Sequence, residues 1–104
     1  MLDVLIRRGM VVDGTGAAAR SADVAVKGGR IAEVGALPDA DAVKVIDAEG
    51  RVVSPGFIDI HSHNDLYVIR DDYRGLFEPY VRQGITTSVV SNCGWSPAPW
   101  PREN

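Results

Sequence analysis

The sequence predicts an α/β protein in two parts: an all-β half, followed by the opening strand, helix and strand of a parallel sheet. Three observations carry this. From Leu2 to about Ser54, short runs rich in Val and Ile alternate with Gly, Pro and Asp turns. After Pro55-Gly56 a nearly continuous apolar run, GFIDIH, replaces that pattern. A helical apolar stripe and a second β-branched run, ITTSVVS, then follow.

In the first half the β-like runs are DVLIRR, MVV, DVAVK, RIAEVG, KVIDA and RVVS. Turns are expected at Asp13-Gly14, Gly16, Lys27-Gly28-Gly29, Leu37-Pro38-Asp39 and Glu49-Gly50. Gly28-Gly29 marks a tight hairpin, because glycine tolerates the positive φ such turns need. The expectation for residues 1–54 is an antiparallel all-β unit belonging to a sandwich.

Residues 55–104 read differently. Strands are expected from Gly56 to His61 and from Ile85 to Ser91, adjacent and parallel. Between them lies a polar segment, Asn64 to Arg74, and then a helix with Leu76, Phe77, Tyr80 and Val81 on one stripe. Gly84 is placed to end that helix, and Pro79 predicts a start near Glu78 or a kink there. Strand, helix, strand is the unit of a parallel α/β fold. Two parallel strands cannot close a barrel, so the chain, which stops at WSPAPWPREN, is expected to be a truncated piece of a larger fold.

Composition excludes several function classes. The chain has 104 residues with a formal net charge of -3, and its basic residues are scattered, so neither a nucleic-acid stripe nor a polybasic membrane patch is present. The start, MLDVLIRRGMVVDG, lacks the pattern of a signal peptide, and no apolar run is long enough to span a bilayer. A single cysteine, Cys93, excludes an intrachain disulfide framework. These features together predict a cytoplasmic protein with a reduced thiol.

The chain's only two histidines, His61 and His63, stand one residue apart at the end of the GFIDIH run. On a strand, residues two apart share a face, so both imidazoles are expected to point one way, as two ligands of one metal ion would. The C-terminal ends of strands are where α/β barrels place their chemistry. Asp59, two residues earlier, needs a partner if buried; a metal site, a histidine N–H or a neighbouring strand's hydroxyl would each serve. Cys93 ends the second run. Counting back by twos gives one face, Ser91, Val89, Thr87 and Ile85, which would set Cys93 level with the histidines. A thiolate is a strong zinc ligand, whereas a lone cysteine in an apolar strand also suits a small buried hydrophobe.

PGFIDIHSHND, QGITT and SNCGWSPAP resemble the amidohydrolase superfamily, and within it the N-acyl-D-amino-acid deacylase (D-aminoacylase) group. VVDGTGA, DVAVKGGRIAEVG and VIDAEGRVVSPGFID resemble the family's small β-sandwich leading into the first strand of a metal-bearing TIM (β/α)8 barrel. The resemblance covers essentially the whole chain. PGFIDIHSH is shared with hydantoinase-like and dihydroorotase-like relatives, and NCG narrows the match. The resemblance implies that His61, His63 and Cys93 are metal ligands, with Cys93 taking the bridging part that a carboxylated lysine plays elsewhere. It implies one or two zinc ions, an N-acyl amino acid as substrate, and hydrolysis to a carboxylate and a D-amino acid. The remaining histidine ligands and the general-base aspartate would come from later strands, so this chain alone is expected to be inactive.

The chain departs from the group at Asn64-Asp65, where many deacylases carry two aspartates after the histidine, a difference expected to bear on substrate preference. Two alternatives stand beside this reading: a cyclic-amide hydrolase of the hydantoinase or dihydroorotase type, and a non-catalytic amidohydrolase-like scaffold.

Overall fold

The computed structural model describes residues 1–97. The last part of the SNCGWSPAP motif and the end of the 55–104 segment lie outside the described residues. The chain divides into two compact units, Met1–Pro55 and a second beginning at Gly56.

The first unit is one five-stranded sheet built around β1 (Leu2–Val11). β2 (Arg20–Lys27) pairs antiparallel with β1, and β3 (Arg30–Gly35) pairs antiparallel with β2. The β2–β3 turn is Gly28-Gly29, with φ of +59° and +71°, the positive pair that a type I′ hairpin requires. β4 (Ala42–Asp47) and β5 (Val52–Val53) both lie along the other edge of β1 and run parallel to it. The expected purely antiparallel unit is therefore corrected to a mixed sheet. Hydrophobic alternation reports that a segment is a strand; it carries no information on the direction of its partner. Segment 36–41 returns the chain to the start of β1, where the Leu2 amide donates to the Asp41 carbonyl at 3.0 Å. The Arg7 guanidinium holds that segment through the carbonyls of Pro38 (3.3 Å) and Ala40 (3.0 Å).

DVLIRR and MVV are one strand, interrupted by a bulge between Ile6 and Gly9. Arg8 occupies the bulge at φ +60°, its amide donating to Asp23 Oδ1 at 2.9 Å. The irregularity separates the part of β1 that pairs β4 from the part that pairs β5. A turn from Ala48 to Arg51 spans the gap, and Arg8 forms ion pairs with Asp47 and Glu49 beside it. Leu5, Val11, Val24, Ala25 and Ala48 form the buried core. Gly9 is buried, and a Cβ there would stand 2.4 Å from Val53 Cγ2. Gly9→Ala is expected to destabilise the protein by about 1–3 kcal/mol, the range for overpacking. Adding Val53→Ala removes the clashing methyl, and the next contacts lie at 3.4 Å. Thermal unfolding of both variants checks this: equal melting temperatures for wild type and Gly9→Ala would refute it.

The second unit contains β6 (Phe57–Asp59), α1 (Asp65–Val68), α2 (Tyr73–Arg82) and β7 (Ile85–Ser88), with a 3-10 turn at Asn92–Gly94. β6 and β7 are adjacent and parallel, as expected, though both end sooner than the apolar runs do. The polar segment after His63 holds α1 and the start of α2, so the helix begins at Tyr73 rather than near Glu78. It runs through Pro79, which lacks the N–H that would bond the Gly75 carbonyl. Gly84, at φ +84°, ends it with its amide on the Val81 carbonyl at 2.9 Å, and its own carbonyl accepts from Phe57 at 2.8 Å. Phe57 and Ile58 are each 61% exposed, against the expectation of a doubly buried strand. Such burial needs a layer on both faces, and among the described residues α2, packed on β7, is the only one. Among the described residues no helix is long and apolar enough to cross a membrane.

Candidate metal centre

The histidines follow β6, in the bend and loop that leave it. This corrects their expected place on the strand, and with it the alternation argument. What aligns them is a set of hydrogen bonds that continues the β6–β7 contact past the strand ends. The Val89 amide donates to the Asp59 carbonyl at 2.8 Å, and the Ser62 amide donates to the Val89 carbonyl at 3.0 Å. Ser62 is thereby buried against β7's extension, and its neighbours His61 and His63 are left to turn elsewhere. Their ring centroids are 5.7 Å apart and edge-on.

Asp59 lies at the end of β6 and is half-buried. Its Oδ1 accepts the backbone N–H of His61 at 3.1 Å. The partner is therefore the peptide of the histidine, not its imidazole and not a neighbouring hydroxyl. Asp59 fixes the bend from which the His61 ring projects.

Cys93 is not on a strand. β7 ends at Ser88, and counting by twos from Cys93 fails because Ser91 (φ +66°) and Cys93 (φ +59°) both adopt the left-handed conformation. Non-glycine residues in that region cost on the order of 1 kcal/mol each and persist where the surroundings over-determine them. Here the turn folds the thiol back toward the histidines: Cys93 Sγ is 3.5 Å from His61 Nε2. One donor atom from each of His61, His63 and Cys93 falls within 4.8 Å of the others. Cys93 and His61 are exposed and His63 is half-buried, so the alternative of a cysteine buried as a small hydrophobe is not what the structure has.

This donor set suits zinc. Bonds of about 2.3 Å to sulfur and about 2.0 Å to nitrogen, at a tetrahedral angle, put the two donors roughly 3.5 Å apart. His63 Nδ1 is also buried with no hydrogen-bond partner, a condition a folded protein rarely leaves unmet. A soft sulfur beside two imidazoles, one with an orphaned nitrogen, is chemistry that a bound zinc ion would satisfy.

Residues 44–103 match the model of the amidohydrolase family, and the chain belongs to that family. Over 100 residues, 96% of this chain and 20% of the relative, it is 50% identical to an N-acyl-D-glutamate deacylase of Alcaligenes xylosoxydans xylosoxydans. It is 45% identical over 102 residues to the D-aminoacylase of the same organism, covering 98% of this chain and 20% of that enzyme. The crystal structure of the N-acyl-D-glutamate deacylase of Bordetella bronchiseptica, complexed with zinc and a phosphonate mimic of the tetrahedral intermediate, superposes with a TM-score of 0.86. It is 47% identical, with 96% of this chain and 20% of that one covered. The chain thus spans about a fifth of the length of the curated relatives it matches.

Reading the sequence alone passed over Ser88 and Ser96. Their hydroxyls reach the two residues after His63: Asn64 Nδ2 donates to Ser88 Oγ at 3.1 Å, and Ser96 Oγ donates to Asp65 Oδ2 at 2.7 Å. The available signal was the polar pair Asn64-Asp65 directly behind the histidines. Asn64 is only 4% exposed, so its side chain is engaged inside the protein.

Proposed function

We propose that this chain forms one side of the metal site of a zinc-dependent hydrolase of linear amide bonds, which converts N-acyl-D-amino acids to a carboxylate and a free D-amino acid. The observation that carries it is the 3.5 Å approach of Cys93 Sγ to His61 Nε2, with a His63 nitrogen in the same cluster. The 50% identity to an N-acyl-D-glutamate deacylase supports the substrate class. On this reading residues 1–54 belong to the small β-sandwich, and residues 55–104 open a TIM barrel whose first two strands are β6 and β7. A cytoplasmic location, where the lone Cys93 would stay reduced, belongs to the same proposal.

His61 and His63 would hold zinc through neutral imidazole nitrogens, and Cys93 through its thiolate. When bound, the metal supplies Lewis acidity toward the amide carbonyl and a water acidic enough to ionise near neutral pH. Asp59 keeps the His61 bend in place by accepting the His61 peptide N–H on its carboxylate. The left-handed turn at Cys93 presents the sulfur to the same point. The general base, by the family resemblance, is an aspartate from a later strand.

The hydantoinase-like reading is weaker, because it assigns the bridging position to a carboxylated lysine and has no use for a thiol beside the histidines. The scaffold reading is weaker because a site that had lost its metal would not need a strained cysteine aimed at two imidazoles. Zinc per polypeptide, measured on the full-length protein, tests the proposal. One or two ions are expected; chelation should abolish N-acyl-D-amino-acid hydrolysis, and added zinc should restore it. A metal-free preparation hydrolysing these substrates at the same rate would overturn it.

A further inference from the structure

Asn64 stands at the N-terminal cap of α1, the position where an asparagine side chain normally accepts a backbone N–H of the first turn. It makes no such bond. Its amide reaches instead across to Ser88 Oγ at 3.1 Å, the last residue of β7. The Asn64 backbone N–H is occupied as well, donating to Ser62 Oγ at 3.1 Å. Among the described residues of the second unit, the two that are buried are these polar ones, Ser62 and Asn64. The Asn64 backbone is helical (φ -64°, ψ -22°) rather than extended, so the side chain is out of capping geometry and its amide serves the Ser88 link.

The next residue makes a matching link. Asp65 Oδ2 accepts from Ser96 Oγ at 2.7 Å, while its Oδ1 is buried with no hydrogen-bond partner. In sequence, Ser88 precedes Cys93 and Ser96 follows it. The segment that carries the thiol is therefore tied at both of its ends to the two residues that directly follow His63. Neither bond touches a metal-binding atom.

We propose that Asn64 and Asp65 are positioning residues, a double clasp that sets the distance between the histidine loop and the cysteine turn. The inference rests on the metal reading above. Without the clasp, the separation of Cys93 from the imidazoles depends on a turn with two non-glycine residues at positive φ, which relaxes easily. Groups that orient ligands from outside the coordination sphere typically change metal affinity by 10- to 100-fold when removed.

The test measures the zinc dissociation constant of the full-length protein by competition with a chelator. The sulfur-to-metal absorption of the Co(II)-loaded form provides a second readout. Asn64→Ala and Asp65→Ala are each expected to weaken zinc binding about 10-fold or more and to diminish the Co(II)–thiolate band. Asp65→Asn, which can still accept from Ser96, should recover most of the affinity. Asp65→Ala combined with Ser96→Ala should cost less than the sum of the two single variants, since the two share one bond. Should Asn64→Ala fail to fold, Ser88→Ala reads the same link by deleting a single hydroxyl. Unchanged affinity and spectrum in the folded variants of both links would overturn the clasp. Cys93→Ala separates the two proposals: if it loses zinc while the clasp variants keep it, the metal reading stands and the clasp falls. A wild-type protein that binds neither zinc nor Co(II) removes both.

Discussion

Replacing Cys93 by alanine in the full-length protein is expected to cost at least about 100-fold in hydrolysis of N-acyl-D-amino acids, with loss of bound zinc. Metal assistance is worth several kcal/mol of transition-state stabilisation, and each 1.4 kcal/mol is about tenfold in rate. The substitution removes the sulfur that stands 3.5 Å from His61 Nε2 and leaves both imidazoles in place. The fold should barely notice. Cys93 is exposed, and alanine tolerates the left-handed turn no worse than cysteine does, so the melting temperature of the metal-free form should stay within a few degrees of wild type. Cys93→Ser, with a harder and less acidic oxygen, should retain only a trace of metal. If Cys93→Ala keeps both its zinc and its rate, the cysteine is not a ligand and the hydantoinase-like alternative reopens.

Gly56→Ala is expected to disturb the same site from the other end of β6. A Cβ at Gly56 would stand 2.0 Å from Thr86 Oγ1, 2.4 Å from its Cγ2 and 2.7 Å from its Cβ. The crowding has a structural origin. Phe57 pairs with Ile85 but Ile58 pairs with Thr87, so Thr86 is the extra residue of a bulge and presses on the glycine. Rotating the threonine side chain cannot clear its Cβ, so the backbones must separate. The expected destabilisation is about 1–3 kcal/mol. Weaker zinc binding should accompany it, since the β6–β7 pairing leads directly into the histidine loop. Thr86→Ala should rescue little, because the 2.7 Å contact is to the atom that alanine retains. Thr86→Gly should rescue more. Equal stability and zinc affinity in Gly56→Ala and wild type would show that the strands part at no cost.

The strand content of residues 1–55, the Gly28-Gly29 hairpin, the parallel pairing of β6 with β7 and the glycine stop at Gly84 were all legible in the residues. Each depends on local chemistry: side-chain alternation, tolerance of positive φ, or the β-branched bias of a strand. The parallel attachment of β4 and β5 to β1 was not legible, because alternation along one strand is the same whichever way its neighbour runs. Nor was the exposure of Phe57 and Ile58, since burial depends on what lies over a face.

At the site the division is sharper. The sequence by itself determined which groups could do the chemistry, two imidazoles and one thiol, and their association with the ends of adjacent parallel strands. Only the tertiary structure decided how they meet. The alternation argument brought His61, His63 and Cys93 together by the wrong route, because all three lie beyond the strands. A strand's two-residue period ends with its ladder. Past that point direction is set by long-range hydrogen bonds, here Ser62 to Val89, Asn64 to Ser88 and Asp65 to Ser96, and by the left-handed backbone at Cys93. Those bonds join residues more than twenty positions apart, and no local pattern in the chain encodes such a distance.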